Sequence, residues 1–268
     1  MEYKFKKENY SFWVERLKNS SPDRVCTNDT GLDFLESEQI LSRLTDESTV
    51  LEIGCGNGLL YEAIRKRYSL KRYVGTDFVH ELIEECNKKK SDSGDSFFQI
   101  DMTEILHDTF LEKFNFIISK RAIQNVIDTQ LQLEVIDKLG HFLEDNGCMI
   151  FVESSSQAQQ RINNERKKYS LDPIDPPFHN LFFNDEKIKS YDFSNVYLEG
   201  IVPFASDFYF ITRIIYARYA KLIGETLSYD HPLQKVALTM DKNLSTSSYS
   251  QIQAYIFRKK KSDYLGKR

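Results

Sequence analysis

The chain has 268 residues, 41% of them hydrophobic, and a formal net charge of −4. That length and apolar content suit one domain with insertions or with a small cap, and the acidic balance counts against nucleic acid as the main partner. No apolar run approaches the roughly 18 residues of a membrane span, and the charged start Met1–Glu8 leads into no apolar segment, so no secretory signal is expected and a cytoplasmic location is favoured.

Residues 1–48 read mainly as helix. Tyr10, Phe12, Trp13, Val14 and Leu17 make a short apolar face, and Ser20-Ser21-Pro22-Asp23 breaks it. A second helix after Gly31 carries Phe34, Leu35, Ile40, Leu41 and Leu44. This segment either packs against a sheet edge or forms a helical lid, with Trp13 against a bound ligand. From 49 to 153 strands alternate with helices. The strands are predicted at Val50–Ile53, Arg72–Asp77, Ser96–Asp101, Phe114–Ser119 and Cys148–Glu153, and the helices at 58–67, 79–90, 129–143 and, shorter, 103–112. Glu144–Gly147 reads as a turn before the fifth strand. Such alternation implies a parallel sheet covered on both faces.

After 153 the rhythm changes. Residues 154–169 look helical and polar, and Asp172–Pro177 holds three prolines that exclude regular structure. Asn184-Asp185-Glu186 looks like a helix start. Asp207–Gly224 is an aromatic-rich helix ended by its glycine, and Asn195–Val202 and Ser250–Arg258 alternate like strands. We therefore expect a lid at 1–48, a cofactor-binding core at 49–153, and substrate-side insertions plus closing strands of the same domain at 154–268. Cys26, Cys55, Cys86 and Cys148 show no metal or disulfide spacing, so they read as reduced thiols and no metal site is expected.

Four features fall at predicted strand ends. Val50-Leu51-Glu52-Ile53 runs into Gly54-Cys55-Gly56-Asn57-Gly58 and then a helix, and a glycine turn there lets a ligand approach the backbone near free N–H groups. Asp77 ends the second strand, where a carboxylate can accept both hydroxyls of a ribose. Asp101-Met102 follows the third strand, with an acid for an exocyclic amine and an apolar side chain for an adenine face. Ser119-Lys120-Arg121 leaves the fourth. Ligands of open α/β sheets lie beyond the carboxyl ends of strands. A dinucleotide turn of the form G-x-G-x-x-G would need glycine at 59, where the chain has Leu59.

The pattern Glu52-x-Gly54-x-Gly56-x-Gly58, with Gly75-Thr76-Asp77, Asp101-Met102 and Phe116-Ile117-Ile118-Ser119, resembles the Rossmann-like, class I methyltransferases that use S-adenosyl-L-methionine. The resemblance implies a seven-stranded sheet, mostly parallel with an antiparallel last strand, helices on both faces and a small helical and loop cap. It implies S-adenosyl-L-methionine held by Glu52, Gly54, Cys55, Gly56 and Gly58, with Asp77 on the ribose. Phe78 and Met102 would sandwich the adenine, Asp101 would hold its amine, and Ser119 would lie near the amino-acid end, under Trp13 if the first helix is a lid.

Methyl transfer requires positioning of an acceptor and, for a hydroxyl, removal of its proton. His179, in the proline-stiffened loop, is the candidate base, because a histidine titrates near neutrality. Arg121, Asn125, Asn180, Tyr209 and Arg213 are candidate substrate contacts, and the arginines suit an anionic acceptor. Glu153, at the end of the predicted fifth strand, is a further candidate. Ser119–Asn125 and Pro177–Phe183 also resemble a bacterial subgroup associated with capsule and lipopolysaccharide sugar modification, whose members carry Trp at the position of Phe178. The resulting expectation is O-methylation of a sugar or other glycan precursor. The alternatives are N-methylation of a small or phosphorylated amine, methylation of tRNA or protein, and a cofactor-binding regulator without turnover. Asn-Pro-Pro-Tyr, the amide-nitrogen motif, is absent after the fourth strand, which counts against the nucleic-acid and protein readings.

Overall fold

A computed structural model describes residues 2–240 and 248–261. In chain order it contains α1 (Glu2–Asn19), α2 (Thr30–Leu41), β1 (Thr49–Ile53), α3 (Leu59–Arg67), β2 (Arg72–Asp77), α4 (His80–Lys89), β3 (Ser96–Gln99), β4 (Phe114–Lys120), α5 (Thr129–His141) and β5 (Leu143–Ser154). There follow α6 (Ser156–Lys168), α7 (Asp185–Ser190), β6 (Val196–Pro203), α8 (Ser206–Tyr209), α9 (Tyr216–Ile223), α10 (Pro232–Met240) and β7 (Ile252–Lys259). A π-helical stretch, Phe210–Ile215, joins α8 to α9.

The strands form one sheet of order β3-β2-β1-β4-β5-β7-β6. The first five are parallel, and β7 runs antiparallel to both β5 and β6. The expected seven-stranded sheet and closing antiparallel pair are therefore present. Alternation along β1 divides the core. Val50 joins the cluster with α2 and α3, whereas Leu51 and Ile53 join the cluster with α5. Both faces are covered, which explains why β1 reads as a nearly continuous apolar run. The chain winds from β1 through β2 to β3, then returns to the other side of β1 as β4. That reversal puts a crevice at the carboxyl ends of β1 and β4, where a ligand belongs.

Two local expectations need correction, and one helix lies where none is predicted. The predicted helix at 103–112 is only a short 3₁₀ turn, Met102–Glu104, capped by Asp101. Glu144–Gly147 lies inside β5 as an outward bulge, because Phe114 pairs with Leu143 while Phe116 pairs with Cys148. The helix α10 was not anticipated. Residues 241–247 and 262–268 of the predicted substrate-side segment lie outside the described residues.

Candidate active site

The glycine turn leaves β1 in left-handed backbone conformations, with φ +72° at Gly54 and +55° at Gly56. Space is also closed to side chains. A Cβ on Gly54 would lie 2.1 Å from Cβ of Ala122, and one on Gly56 would lie 2.6 Å from Sγ of Cys26. The N–H groups of Gly54 and Cys55 donate to the Thr76 carbonyl at 2.7 and 2.9 Å. Gly56 N–H donates to Oδ2 of Asp77 at 2.9 Å, and Val79 N–H donates to Oδ1 at 3.0 Å. The turn and the acid after β2 are thus one hydrogen-bonded unit. Burial lifts the Asp77 carboxyl to about 6, although its N–H donors oppose the rise.

A channel runs beneath α1 across the strand ends. A narrow throat of about 80 Å³ is lined by Trp13, Cys26, Gly54, Gly56, Asp77 and Lys120, among others. Through Phe78 and Met102 it meets a chamber of about 450 Å³ that also borders Asn9, Asp101 and Leu131. Through Trp13, Cys26 and Arg121 it meets a second chamber, of about 490 Å³. Asn125 lines all three spaces. The helix α1 spans the channel and is tied to the core at its outer end. Tyr10 Oη donates to Glu81 at 2.6 Å, and Lys6 Nζ lies 2.8 Å from Oδ2 of Asp101.

The second chamber is built from distant parts of the chain. The proline-rich segment crosses back over the sheet, with Leu181 N–H on the Gln124 carbonyl at 2.7 Å and Phe183 N–H on the Ser154 carbonyl at 2.8 Å. His179 is thereby pressed among rings, 4.4 Å from Phe12, 5.4 Å from Trp13 and 5.0 Å from Phe178 between centroids. Burial, with Arg16 nearby, lowers its imidazole to about 4, not the near-neutral value expected from the sequence, so the ring is neutral at neutral pH and a weaker base than a free histidine. His179 Nδ1 and the carboxamide oxygens of Asn125 and Asn180 are buried without a hydrogen-bond partner among the described residues. All three residues line this chamber. Tyr209 and Arg213 line it as well, and their cation–π contact is 5.3 Å to the ring centroid. Burial raises the Tyr209 phenol, which stays protonated.

The arginines are braced by acids on and before α2. Arg213 pairs with Asp29. Arg121 lies 3.2 Å from Asp33 and 3.0 Å from Glu36, and Lys120 lies 2.7 Å from Asp33. The Glu36 contact is off the hydrogen-bonding direction, so neither of its carboxyl oxygens has a hydrogen bond among the described residues. Arg121 has φ +54°, a conformation that costs a non-glycine residue roughly 1–2 kcal/mol. This bend turns the chain so that Ala122 meets Gly54.

Several sequence-predicted residues sit elsewhere or do other work. Ser119 is fully buried and does not line the channel; its hydroxyl donates to Glu153 at 3.0 Å. Glu153 also accepts the N–H groups of Ala122, Ile123 and Gln124, so it is a brace for the loop after β4 and not a substrate contact. Cys55 turns its side chain into the core, 3.8 Å from Cys86 Sγ, and offers only backbone to the turn. Asp101 caps its 3₁₀ turn through Thr103, and Lys6 occupies its other oxygen. Sequence reasoning missed Cys26, Asn9 and Arg16. A half-buried cysteine, and polar residues recurring along the helix that carries Trp13, were the available signals.

The channel fits a nucleoside-bearing sulfonium donor. Phe78 and Met102 supply apolar faces, Asp77 lies at the throat, and the glycine cradle leaves no room for a Cβ. Glu52 lines none of the three spaces; it is buried behind the turn, its Oε2 has no hydrogen-bond partner among the described residues, and burial lifts its carboxyl to about 8. An ammonium group would satisfy that oxygen. Among the described residues no cluster of His, Cys, Asp and Glu could hold a metal, and no helix is long and apolar enough to cross a membrane.

Comparison with known proteins agrees with the geometry. The family model described as a methyltransferase domain matches residues 44–193, more than half of the chain. No curated protein matches in sequence. In fold, the chain is similar to a TehB-like SAM-dependent methyltransferase from Corynebacterium glutamicum (13% identity, TM-score 0.54, covering 95% of this chain and 100% of that one). It is also similar to phosphoethanolamine N-methyltransferase 1 of Haemonchus contortus, solved with phosphoethanolamine and S-adenosylhomocysteine (14%, TM-score 0.59, 94% and 48%). A third is the N-methyltransferase NodS from Bradyrhizobium japonicum WM9 (14%, TM-score 0.52, 87% and 98%).

Proposed function

Because the chain belongs to the methyltransferase-domain family and is a class I, S-adenosyl-L-methionine-dependent methyltransferase, we propose that it O-methylates a small, hydroxyl-rich, anionic acceptor, a sugar or other glycan precursor. The donor supplies an activated methyl group. In this reading Glu52 holds the donor's ammonium and Asp77 its ribose hydroxyls. Phe78 and Met102 flank the adenine, and Asp101 exchanges one of its present contacts for the adenine amine. The glycine turn admits the donor to the throat, and α1 with Trp13 closes over it as a lid, excluding water. The acceptor occupies the second chamber.

The observation that carries this reading is the trio of unpartnered polar atoms on Asn125, His179 and Asn180 in that chamber. Each can accept a hydrogen bond, and leaving buried acceptors unmet costs about 1–3 kcal/mol apiece. A polyol presents the matching O–H donors. The neutral imidazole of His179 takes the proton of the reacting hydroxyl, Tyr209 donates from its protonated phenol, and Arg16, Arg121 and Arg213 favour a negative charge on the acceptor. His179→Ala should lower kcat by about 10²-fold while calorimetric donor affinity stays within twofold. Unchanged kcat would remove His179 as the base.

An amine acceptor is the second reading, favoured by the ring-lined walls of the same chamber: Phe12, Trp13, Phe178, Tyr209 and Tyr229. It predicts N-methyl products and activity that survives His179→Ala.

A further inference from the structure

The acceptor chamber does not end at Arg213. Behind that residue lies a cavity of about 260 Å³ that shares Ile174, Arg213 and Tyr229 with the chamber. The volume equals about nine waters at their liquid density, enough for a ring with its substituents. Two residues of its wall are poorly served by the fold. Arg166 is only 7% exposed and forms no ion pair among the described residues. Its guanidinium donates to two backbone carbonyls, that of Asp172 at 2.8 Å and that of Arg213. The one carboxylate that attracts it is Asp172, which is exposed to solvent, shared with Lys221 at 3.7 Å, and outweighed by burial and by Arg213. A buried cation without a counter-ion is costly. Gln234, on α10, is also 7% exposed, and its Oε1 has no hydrogen-bond partner among the described residues.

We propose that this annexe is a second subsite for the acceptor: a phosphate or diphosphate passes Arg213 to meet Arg166, and the molecule continues into a polar group that donates a hydrogen bond to Gln234. The acceptor is then an elongated phosphate ester, with the reacting hydroxyl in the front chamber and an uncharged O–H- or N–H-bearing ring behind the phosphate. This rests on the reading of the front chamber as the acceptor site. Arg213, which faces both cavities, marks the phosphate position between them. Burial and the neighbouring Arg213 both press the Arg166 guanidinium below its ordinary pKa. An anion there would relieve both effects.

The test is calorimetry on the full chain loaded with S-adenosylhomocysteine, so that the donor site is filled. The probes are inorganic pyrophosphate and uridine diphosphate, the second carrying a ring with an N–H donor beyond its phosphates. Uridine diphosphate should bind about tenfold more tightly than pyrophosphate. Gln234→Leu should erase most of that difference and leave pyrophosphate affinity unchanged, whereas Arg166→Gln should weaken both probes about tenfold. Because Arg166 also holds two carbonyls, its variant is scored only if its thermal melt matches wild type; the Gln234 arm decides the question alone. Absence of binding, equal binding of the two probes, or a difference that survives Gln234→Leu would overturn the subsite. Methyl transfer to neutral polyols is scored in parallel. Transfer without phosphate-probe binding refutes the annexe alone, while probe binding without methylation of any hydroxyl refutes the acceptor reading and, with it, the annexe as an acceptor subsite, leaving only a phosphate-binding cavity.

Discussion

Replacing Glu52 with Gln should change the proton balance of donor binding. Burial lifts the Glu52 carboxyl to about 8, so at pH 7 it is about nine-tenths protonated in the donor-free protein. Its Oε2 is buried without a hydrogen-bond partner among the described residues. An ammonium at that oxygen stabilises the carboxylate and pulls its pKa well below 7. Donor binding should therefore release about 0.9 proton from Glu52 at pH 7. Asp77, at about 6, is already about nine-tenths ionised there and adds about 0.1. Calorimetric titration of S-adenosyl-L-methionine at pH 7 in phosphate, HEPES and Tris measures this count, as the slope of observed enthalpy against buffer ionisation enthalpy. The wild-type slope should be near one proton and the Glu52→Gln slope near zero. A wild-type slope near zero, or an unchanged slope in the variant, would refute the placement of Glu52 against the ammonium.

Gly54→Ala should destabilise the fold by about 2–5 kcal/mol in urea unfolding, from the left-handed φ and the 2.1 Å approach to Ala122. Adding Ala122→Gly should return the steric part and leave the backbone part; a double variant no more stable than Gly54→Ala would contradict that division. Asp77→Ala should weaken donor binding by roughly 1.5–3 kcal/mol, in line with losing charged hydrogen bonds to a ribose, and undiminished calorimetric affinity would refute the assignment. Stability should also depend on pH in a particular direction. Burial raises Glu36 and Glu153 to about 7, Glu52 to about 8 and Asp77 to about 6, all above their ordinary values. A raised folded-state pKa gives stability that is fully present below the unfolded value and lost as pH climbs through the folded one. His179, lowered to about 4, opposes this below about pH 6.5, but four acids outweigh one imidazole; the donor-free Tm should therefore fall from about pH 5 to pH 8, and a Tm that is flat or rises across that window would show these acids to be better solvated than their burial implies.

The sheet was legible because its signals are local. Strand runs such as Val50–Ile53 and Phe114–Ser119 are apolar on both faces, and Gly54 to Gly58 needs no partner to declare a turn. Asp77 could be placed because it stands at a fixed distance beyond that turn. The contacts that shape the acceptor side are long-range and carry no period. Arg121 and Arg213 find Asp33, Glu36 and Asp29 on a helical segment far away in sequence, and Arg166 and Gln234 meet only after α6 and α10 pack around the π-helical stretch. Ser119 shows a subtler limit. Its position after an apolar strand suggested a ligand contact, yet Glu153 claims its hydroxyl. An acid that reads as a site residue can be spent on backbone N–H groups, as Glu153 is. The helix predicted at 103–112 does not form because β3 ends at Gln99 and Asp101 caps only a single 3₁₀ turn, after which the chain does not continue as helix.

In the proposed reading, the channel beneath α1 brings a methyl donor to a hydroxyl-bearing, phosphate-tagged acceptor. Its most direct test is transfer of a tritiated methyl group from S-adenosyl-L-methionine to fractionated small-molecule extract, with the labelled product treated with phosphodiesterase and then phosphatase and examined for the methylated atom. Label is expected on oxygen of an anionic polyol whose charge is removed by phosphodiesterase and phosphatase acting in turn. Label on nitrogen or on macromolecules, or donor binding with no label transferred to any fraction, would contradict it.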